Sequence, residues 1–410
     1  MKILLANWVY NWGSTGYIIR DMKSVLEGEG YDISVVAGFD RGTPKSGVFT
    51  FCSRIETSIC FRLNRWLGFP QFGGSPFSTY RLINYIKKEN PDLVHIHILN
   101  NMCCNMYRVL AFLGKHNYKT VITHHAEFYY TGSCSHAYEC NHWKNQECRG
   151  CEHIVSATGS RFFGNPHKMW LRMQKAISFF RTENLVMTAV SPWVRSRSIE
   201  SPYLKRFTCE TVMNGVDISI FYHRCMKETI INRIPHGKKS YLLSVFASFN
   251  PSNENDVKGG AYLLELARMM PDQLFVIVCT THTNCQPLPG NVFLWGKAKN
   301  QDELAELYSN ATLLILTSRR ETFSMVTAES LCCGTPVVGF EAGGPESIAI
   351  KEYSCFVEFS NTTALKDAIV NMLTQHNDRK QISIEAGNMY SKTTMVEGYL
   401  RVYKSLIQNY

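Results

Sequence analysis

The sequence has no apolar stretch approaching the roughly 20 residues that a membrane-spanning helix needs. It also lacks a long run of lysines and arginines, a zinc-finger spacing of cysteine and histidine, and an aromatic–basic RNA-binding signature. Nucleic acid is therefore not expected as a partner, although a net charge of +9 would suit an anionic surface or a phosphorylated substrate. The glycine loop NWGSTGY (11–17) is not a G-x-G-x-x-G fingerprint, so it does not read as a nicotinamide-nucleotide site. There is no Asp-x-Asp pair, and no catalytic metal is expected. Low-complexity tracts and convincing short-period repeats are missing, and 45% hydrophobic with 19% charged residues argues against disorder. The start, MKILLANWVY, has neither a long apolar region nor a small-residue cleavage site and reads as a buried strand. The 15 cysteines are then expected to be reduced in a cytoplasmic setting, most of them as small buried hydrophobes and not as disulfides.

What is present is a long alternation. A chain of 410 residues exceeds one core and suggests two domains. In the second half, YLLSVFAS (241–248), LFVIVCT (274–280), NVFLW (291–295), ATLLILTS (311–318) and PVVGF (336–340) read as buried strands. Between them lie helical stretches such as GGAYLLELARMM (259–270) and QDELAELYSN (301–310). KILLA (2–6), ISVVAG (33–38), DLVHIHI (92–98), KTVITHH (119–125) and LVMTAV (185–190) repeat the style in the first half. Continuous apolar strands alternating with helices predict an α/β fold of two doubly wound parallel-sheet domains. We place the first domain at 1–200, the second at 201–385 and a closing amphipathic helix at 386–410, where Met395, Tyr399, Val402 and Leu406 recur at helical spacing.

The alternation breaks between 125 and 180, a stretch rich in Cys, His and aromatic residues. A long irregular segment inside a compact domain usually serves function. Cys134, Cys140, Cys148 and Cys151 stand in a C-x5-C-x7-C-x2-C pattern there. Four thiolates can complete a closed tetrahedral zinc site, so these are candidate ligands for a structural zinc, with His136, His142 or His153 able to replace one. The alternative is four buried or free thiols.

The stretch RRETFSMVTAESLCCGTPVVGF (319–340) sets Glu321 at a strand end and Glu329 inside a helix. A helix starting near Ser324 turns the backbone N–H groups of Ser324, Met325 and Val326 toward an anion. Open α/β sheets bind ligands outside the carboxyl ends of their strands, which puts Glu321 in the crevice. Glu329, about one turn into the helix, can accept hydrogen bonds from sugar or ribose hydroxyls.

This E-x7-E, followed by EAGGPESI (341–348), resembles the donor-site signature of glycosyltransferase family 4. NWGSTGY (11–17), MNGVD (213–217) and VKGG (257–260) extend the resemblance over nearly the whole chain, and HAEFYYTGSC with the cysteines after it resembles a subgroup that builds capsular and colanic-acid-type surface polysaccharides. The resemblance implies the GT-B fold, two Rossmann-like domains facing a cleft with the last helix crossing back to the first. It implies a retaining, metal-independent transfer of sugar from a UDP- or GDP-sugar to a growing, lipid-linked glycan. Carried over residue by residue, Lys258 meets the donor diphosphate together with the helix start at Ser324, Met325 and Val326. Glu329 binds the ribose, Glu321 the transferred sugar, His125 lies beside the reacting carbon, and Gly16 lets backbone approach the phosphates. Where many relatives carry an arginine at the end of the second domain's first strand, this chain reads FASFN (246–250).

Two basic–aromatic segments are candidates for an anionic membrane surface on the inner face of the cell membrane. They are CFRLNRWLGF (60–69) and HKMWLRMQKAISFFR (167–181), the latter with Trp170, Met173, Ile177 and Phe180 on one face and Lys168, Arg172 and Lys175 on another. The alternative for such a helix is packing on the domain core. Two rivals for the function are a sugar-nucleotide epimerase or hydrolase on the same fold and an inactive, zinc-containing assembly protein of a polysaccharide machine.

Overall fold

The computed structural model describes residues 1–408 apart from 42–46, 69–72, 100–101, 226, 228–229, 231, 236–239, 254–255 and 284–286. Phe69 of CFRLNRWLGF, and Asn409 and Tyr410 of the closing 386–410 segment, lie outside the described residues. The chain divides into two compact units, Met1–Met213 with Met395–Tyr410, and Asn214–Thr394.

The first unit holds a seven-stranded sheet in the order β3-β2-β1-β4-β5-β6-β7. Its strands are β1 (Lys2–Tyr10), β2 (Asp32–Asp40), β3 (Val48–Thr50), β4 (Leu93–Ile96), β5 (Thr120–His124), β6 (Leu185–Ala189) and β7 (Thr208–Thr211). Every pairing is parallel. The strand order reverses between β1 and β4, which creates a crevice at their carboxyl ends. β4, β5 and β6 are buried along their whole length, as strands covered on both faces must be. On one face, Ile18, Ile19, Met22 and Leu26 of the helix Gly13–Gly28 join Met395, Val396, Tyr399, Val402, Tyr403 and Leu406 of the helix Lys392–Gln408 in one core.

The second unit repeats the plan in six parallel strands ordered β10-β9-β8-β11-β12-β13. These are β8 (Leu242–Phe249), β9 (Phe275–His282), β10 (Val292–Gly296), β11 (Leu313–Leu316), β12 (Val337–Phe340) and β13 (Ser354–Val357). The reversal falls between β8 and β11. Leu263, Leu266 and Ala267 of the helix Gly260–Met269 and Leu365 and Ile369 of the helix Thr362–Leu373 pack on this sheet. The short strands β3, β7 and β13 do not stand out in the sequence. Each has three or four residues, too few to show a period.

The 125–180 segment folds into short helices pinned by side chains. Glu127 is fully buried and accepts from the Arg197 guanidinium at 2.9 Å and 3.1 Å. Trp143 Nε1 donates to the Cys140 carbonyl, and Trp170 Nε1 donates to the Trp143 carbonyl, each at 3.0 Å. Within 167–181 the membrane reading is corrected. Trp170, Met173, Ile177 and Phe180 are buried, so that apolar face belongs to the core and is not offered to lipid. Among the described residues no helix is long and apolar enough to cross a membrane.

Candidate functional site

In the second unit the two loops that leave β8 and β11 meet. The Lys258 ammonium pairs with Glu321 Oε1, and the Ser318 hydroxyl donates to the same oxygen at 3.0 Å. The loop before the helix Gly260–Met269 is held from both sides. Asp256 accepts from the N–H groups of Lys258 (3.0 Å) and Gly260 (2.9 Å). The Thr317 hydroxyl donates to the Lys258 carbonyl at 3.0 Å. Gly259 has φ +69°, and a Cβ there would lie 2.1 Å from the Thr317 carbonyl oxygen. Only glycine allows so close an approach, and that approach brings Lys258 over the end of β11.

Glu321 is fixed through its backbone. Its N–H donates to the Ala342 carbonyl (3.0 Å), and its carbonyl accepts from Gly344 N–H (2.9 Å). Glu346 accepts from the N–H groups of Ala342 and Gly343 and so closes the EAGGPESI turn. Three residues after Glu321, Ser324 sits in the left-handed region at φ 78°, uncommon for a residue with a Cβ. Its hydroxyl caps the helix Met325–Cys332 by accepting from Thr327 N–H at 3.3 Å. As the first residues of that helix, Met325 and Val326 have N–H groups with no acceptor within the helix. One turn along, Glu329 is partly exposed and accepts from the Tyr308 hydroxyl at 3.1 Å. Burial lifts its carboxyl to about 7, against the lowering effect of that hydrogen bond. The structure therefore brings Lys258 and Glu321 together and places Ser324, Met325, Val326 and Glu329 on the helix that follows.

In the first unit, His125 follows β5. Its Nε2 lies 2.8 Å from Nδ1 of His97, and the two rings stack with centroids 5.1 Å apart. Behind them His95 is held between the Tyr403 hydroxyl (2.6 Å) and the Thr123 hydroxyl (2.7 Å). Burial pushes the imidazoles of His124 and His125 down to about 3 and holds those of His95 and His97 well below the usual range. All four are neutral at physiological pH. His124 points elsewhere, its Nε2 3.3 Å from the Ser198 hydroxyl. Gly16 is buried in the first turn of its helix, where a Cβ would meet Asn11 N and Val9 Cγ2 at 3.3 Å. The positive-φ positions of that loop are Asn11 and Gly13.

Cys134, Cys148 and Cys151 have thiols raised above their ordinary range, first by burial, Cys134 to about 12. These thiols and Cys140 act on one another electrostatically and so share one neighbourhood. The Cys148 thiol donates to the Thr131 carbonyl at 3.3 Å. Among the described residues no group of three or more His, Cys, Asp or Glu is arranged to hold a metal ion.

Residues 16–220 match the Glycosyltransferase Family 4 profile, and residues 280–389 match that of the group 1 glycosyl transferases. The chain belongs to glycosyltransferase family 4. Over 99% of its length this glycosyltransferase is 21% identical to the whole of a putative colanic acid biosynthesis glycosyl transferase, WcaC, of Escherichia coli. Several other curated relatives match over only part of their length, the chain spanning 26–32% of them. Among solved structures, the sucrose-phosphate synthase of Thermosynechococcus elongatus superposes with a TM-score of 0.67 at 14% identity over all of both chains. HepE of Anabaena in complex with UDP gives 0.64 at 13% identity, covering 99% of this chain and 100% of that one. These likenesses fix the fold as GT-B.

Some of the glycosyltransferase's site is not apparent from the sequence. Ser318 and Asp256 act on Glu321 and on the Lys258 loop, but single Ser and Asp residues in loops carry no signal. His97 had one, since DLVHIHI sets two histidines two residues apart and thus on one face of a strand.

Proposed function

We propose that this chain transfers a sugar from a UDP- or GDP-sugar to a growing, lipid-linked surface polysaccharide, with retention and without a catalytic metal, on the cytoplasmic face of the cell membrane. The reading is supported above all by the Lys258–Glu321 pair, set at the strand-order reversal of the second unit beside two helix N-termini. A diphosphate carries more charge than one carboxylate and draws the Lys258 ammonium to itself. The N–H groups of Met325 and Val326 share in stabilising the charge that grows on the leaving diphosphate. Glu321, its backbone fixed, then accepts from hydroxyls of the transferred sugar, and Glu329 from the ribose. His125 lies beside the reacting carbon as a neutral group, and Gly16 keeps the β1 loop tight near the phosphates. Lys258 and the helix-start amides take over from the arginine that FASFN lacks.

Cys134, Cys140, Cys148 and Cys151 stand in this reading as a set that closes on a structural zinc. The loop must rearrange to bring the thiols into a ligand geometry, and their protons must leave.

The test is a thermal-shift screen of nucleotide sugars followed by a transfer assay. A ligand that binds only the folded state raises the apparent Tm by mass action. Stabilisation by one nucleotide sugar, with turnover only when an acceptor is added, is the expected result. Turnover without acceptor points to an epimerase or hydrolase. No stabilisation by any nucleotide sugar removes the reading.

A further inference from the structure

Three cysteines far apart in the sequence meet in the first unit. After β3 the chain stays paired with β2, Phe51 N–H donating to the Ala37 carbonyl (3.0 Å) and Cys52 N–H to the Gly38 carbonyl (3.3 Å). That carries Cys52 onto Gly38. The loop that leaves β4 crosses the end of β1 to the same place and brings Cys103 and Cys104. A Cβ on Gly38 would lie 3.0 Å from Cys52 Sγ and 3.4 Å from Cys103 Cβ, so both cysteines pack on one glycine. The Cys52 thiol donates to the Cys103 carbonyl at 3.1 Å, and the Cys103 and Cys104 sulfurs stand 3.9 Å apart. Among the described residues, thiols hydrogen-bond one another only here. The loop is anchored as well. Met102, next to Cys103, has φ 59°, and its carbonyl accepts from the Ser75 hydroxyl.

The three thiols differ in access and in charge. Cys103 and Cys104 are buried, and Cys52 is partly exposed. Burial pushes the Cys103 thiol up, but hydrogen bonds from the Cys104 and Cys52 thiols outweigh it and bring Cys103 down to about 5. Burial and its contact with Cys103 hold the Cys52 thiol well above the ordinary range, so Cys52 keeps its proton. A solvent-reachable thiol beside a buried thiolate is a pair set for oxidation, the first sulfur meeting the oxidant and the second resolving it. The pair also lies close to the histidines. Cys103 and Cys104 act electrostatically on Tyr129, which is buried and donates its hydroxyl to the His97 carbonyl at 3.3 Å. His97 in turn meets His125.

We propose that Cys52 and Cys103 are a site of reversible oxidation, closing into a disulfide under hydrogen peroxide and slowing transfer while closed. The Cys52 sulfur attacks one peroxide oxygen as its proton passes to the Cys103 thiolate. The O–O bond breaks, hydroxide leaves, and Cys52 becomes a sulfenic acid. The Cys103 sulfur then attacks the Cys52 sulfur, the S–O bond breaks, and the hydroxyl departs as water with the Cys103 proton. The thiols lose two electrons, and the peroxide is reduced to water and hydroxide. A dithiol reverses the bond by exchange. Once formed, the bond ties the end of β3 to the loop after β4 and removes the negative charge beside Tyr129, which shifts the support of His97. The disulfide stands apart from the glycosyltransferase reading, and only its effect on turnover rests on it.

The experiment treats the full-length protein with hydrogen peroxide, blocks the remaining thiols, and maps its peptides by mass spectrometry without reduction. Cys225→Ser serves as the background throughout, since Cys225 is exposed and would link chains to one another. Cys52→Ser, at a partly exposed position, and Cys103→Ala, which keeps an apolar side chain in the core, are compared with that parent. The oxidised parent should yield a linked peptide pair holding Cys52 and Cys103, lighter by two hydrogens and released by dithiothreitol. Its turnover should fall by at least about tenfold, as expected when a group at the reacting centre is displaced, and recover with the reductant. Cys52→Ser should form no link and keep its turnover under peroxide. Cys52 left free in the oxidised parent, or Cys103 linked to Cys104 instead, overturns the pair. A Cys52–Cys103 link with unchanged turnover, or equal inactivation of Cys52→Ser, overturns the switch. If the reduced parent transfers no sugar at all, the glycosyltransferase reading falls, and the peptide map still decides the disulfide.

Discussion

His97 Nδ1 stands 2.8 Å from His125 Nε2, and the other nitrogen of His97, Nε2, is buried without a hydrogen-bond partner among the described residues. Both rings are neutral, so one proton lies between them. Orphaned buried donors are rarer than orphaned acceptors. The favoured tautomer therefore has His97 Nδ1–H donating to His125 Nε2, which places the His125 proton on its Nδ1.

His97 is on this account a positioning residue for His125. His97→Phe keeps the volume and removes the hydrogen bond. Turnover should fall by about tenfold while the KM for the donor holds, and His97→Gln, which can still donate, should recover part of the loss. A parallel change in kcat and KM, or none, would show that His97 only fills space. Nitrogen NMR of labelled histidine checks the tautomer.

These four histidines, three of them fully buried and His125 partly so, also make the first unit acid-sensitive. Their folded pKa values lie below the unfolded 6.5, so the unfolded state binds more protons as pH falls through 6.5 toward about 3. Each group contributes a slope of up to about 1.4 kcal/mol per pH unit in that window. Glu329 works the other way. Its folded pKa of about 7 exceeds the ordinary 4.5, so it favours the folded state as pH falls between 7 and 4.5. One carboxyl does not offset four imidazoles, and calorimetry should show Tm dropping from pH 7 to pH 5. A Tm that is flat or rising over that range contradicts the burial argument.

Removing charge from the donor site should divide binding from transfer. Lys258→Ala should weaken UDP binding most, because the contact proposed for it with the diphosphate is charge-assisted. Glu329→Ala should weaken donor binding by on the order of 1 kcal/mol, and Glu321→Ala should mainly lower kcat. Donor affinity of the parent should fall as pH drops below about 7, where Glu329 takes up its proton, and Glu329→Gln should lose that dependence. Unchanged affinity and rate in folded Glu321 and Glu329 variants would dismiss both roles.

The cysteine loop is decided by metal analysis. About one zinc per chain, lost together with thermal stability in a Cys148→Ser/Cys151→Ser double variant, supports a structural site. Zinc affinity should then fall steeply toward acid pH, because bound thiols must shed protons and Cys134 holds its own up to about 12. Metal-free protein with full activity leaves Trp143, Trp170 and the Glu127–Arg197 pair as what orders the loop.

The long strands and the helices between them were legible because buried parallel strands read as continuous apolar runs. MKILLANWVY forms one strand from Lys2 to Tyr10, its pairing with β2 running on past Asn7 to Asp40. Glu321, Ser324 and Glu329 were legible as a spaced motif. The Lys258–Glu321 contact was not, since 63 positions separate them and only the crossing of two loops joins them. The segment 167–181 misled for a related reason. An amphipathic helix looks the same whether its apolar face meets lipid or a neighbouring helix.

The helix Lys392–Gln408 has a consequence for how the chain is made. Met395, Tyr399, Val402 and Tyr403 complete the core against β1, and Tyr403 holds His95 from 308 positions away. The second unit, by contrast, is continuous in sequence. During synthesis the second unit can close as soon as it leaves the ribosome. The first, begun earlier, must wait with its apolar groove uncovered until the last helix emerges. The domain translated first is thus finished last, and the interval between is when this protein is most in need of a chaperone.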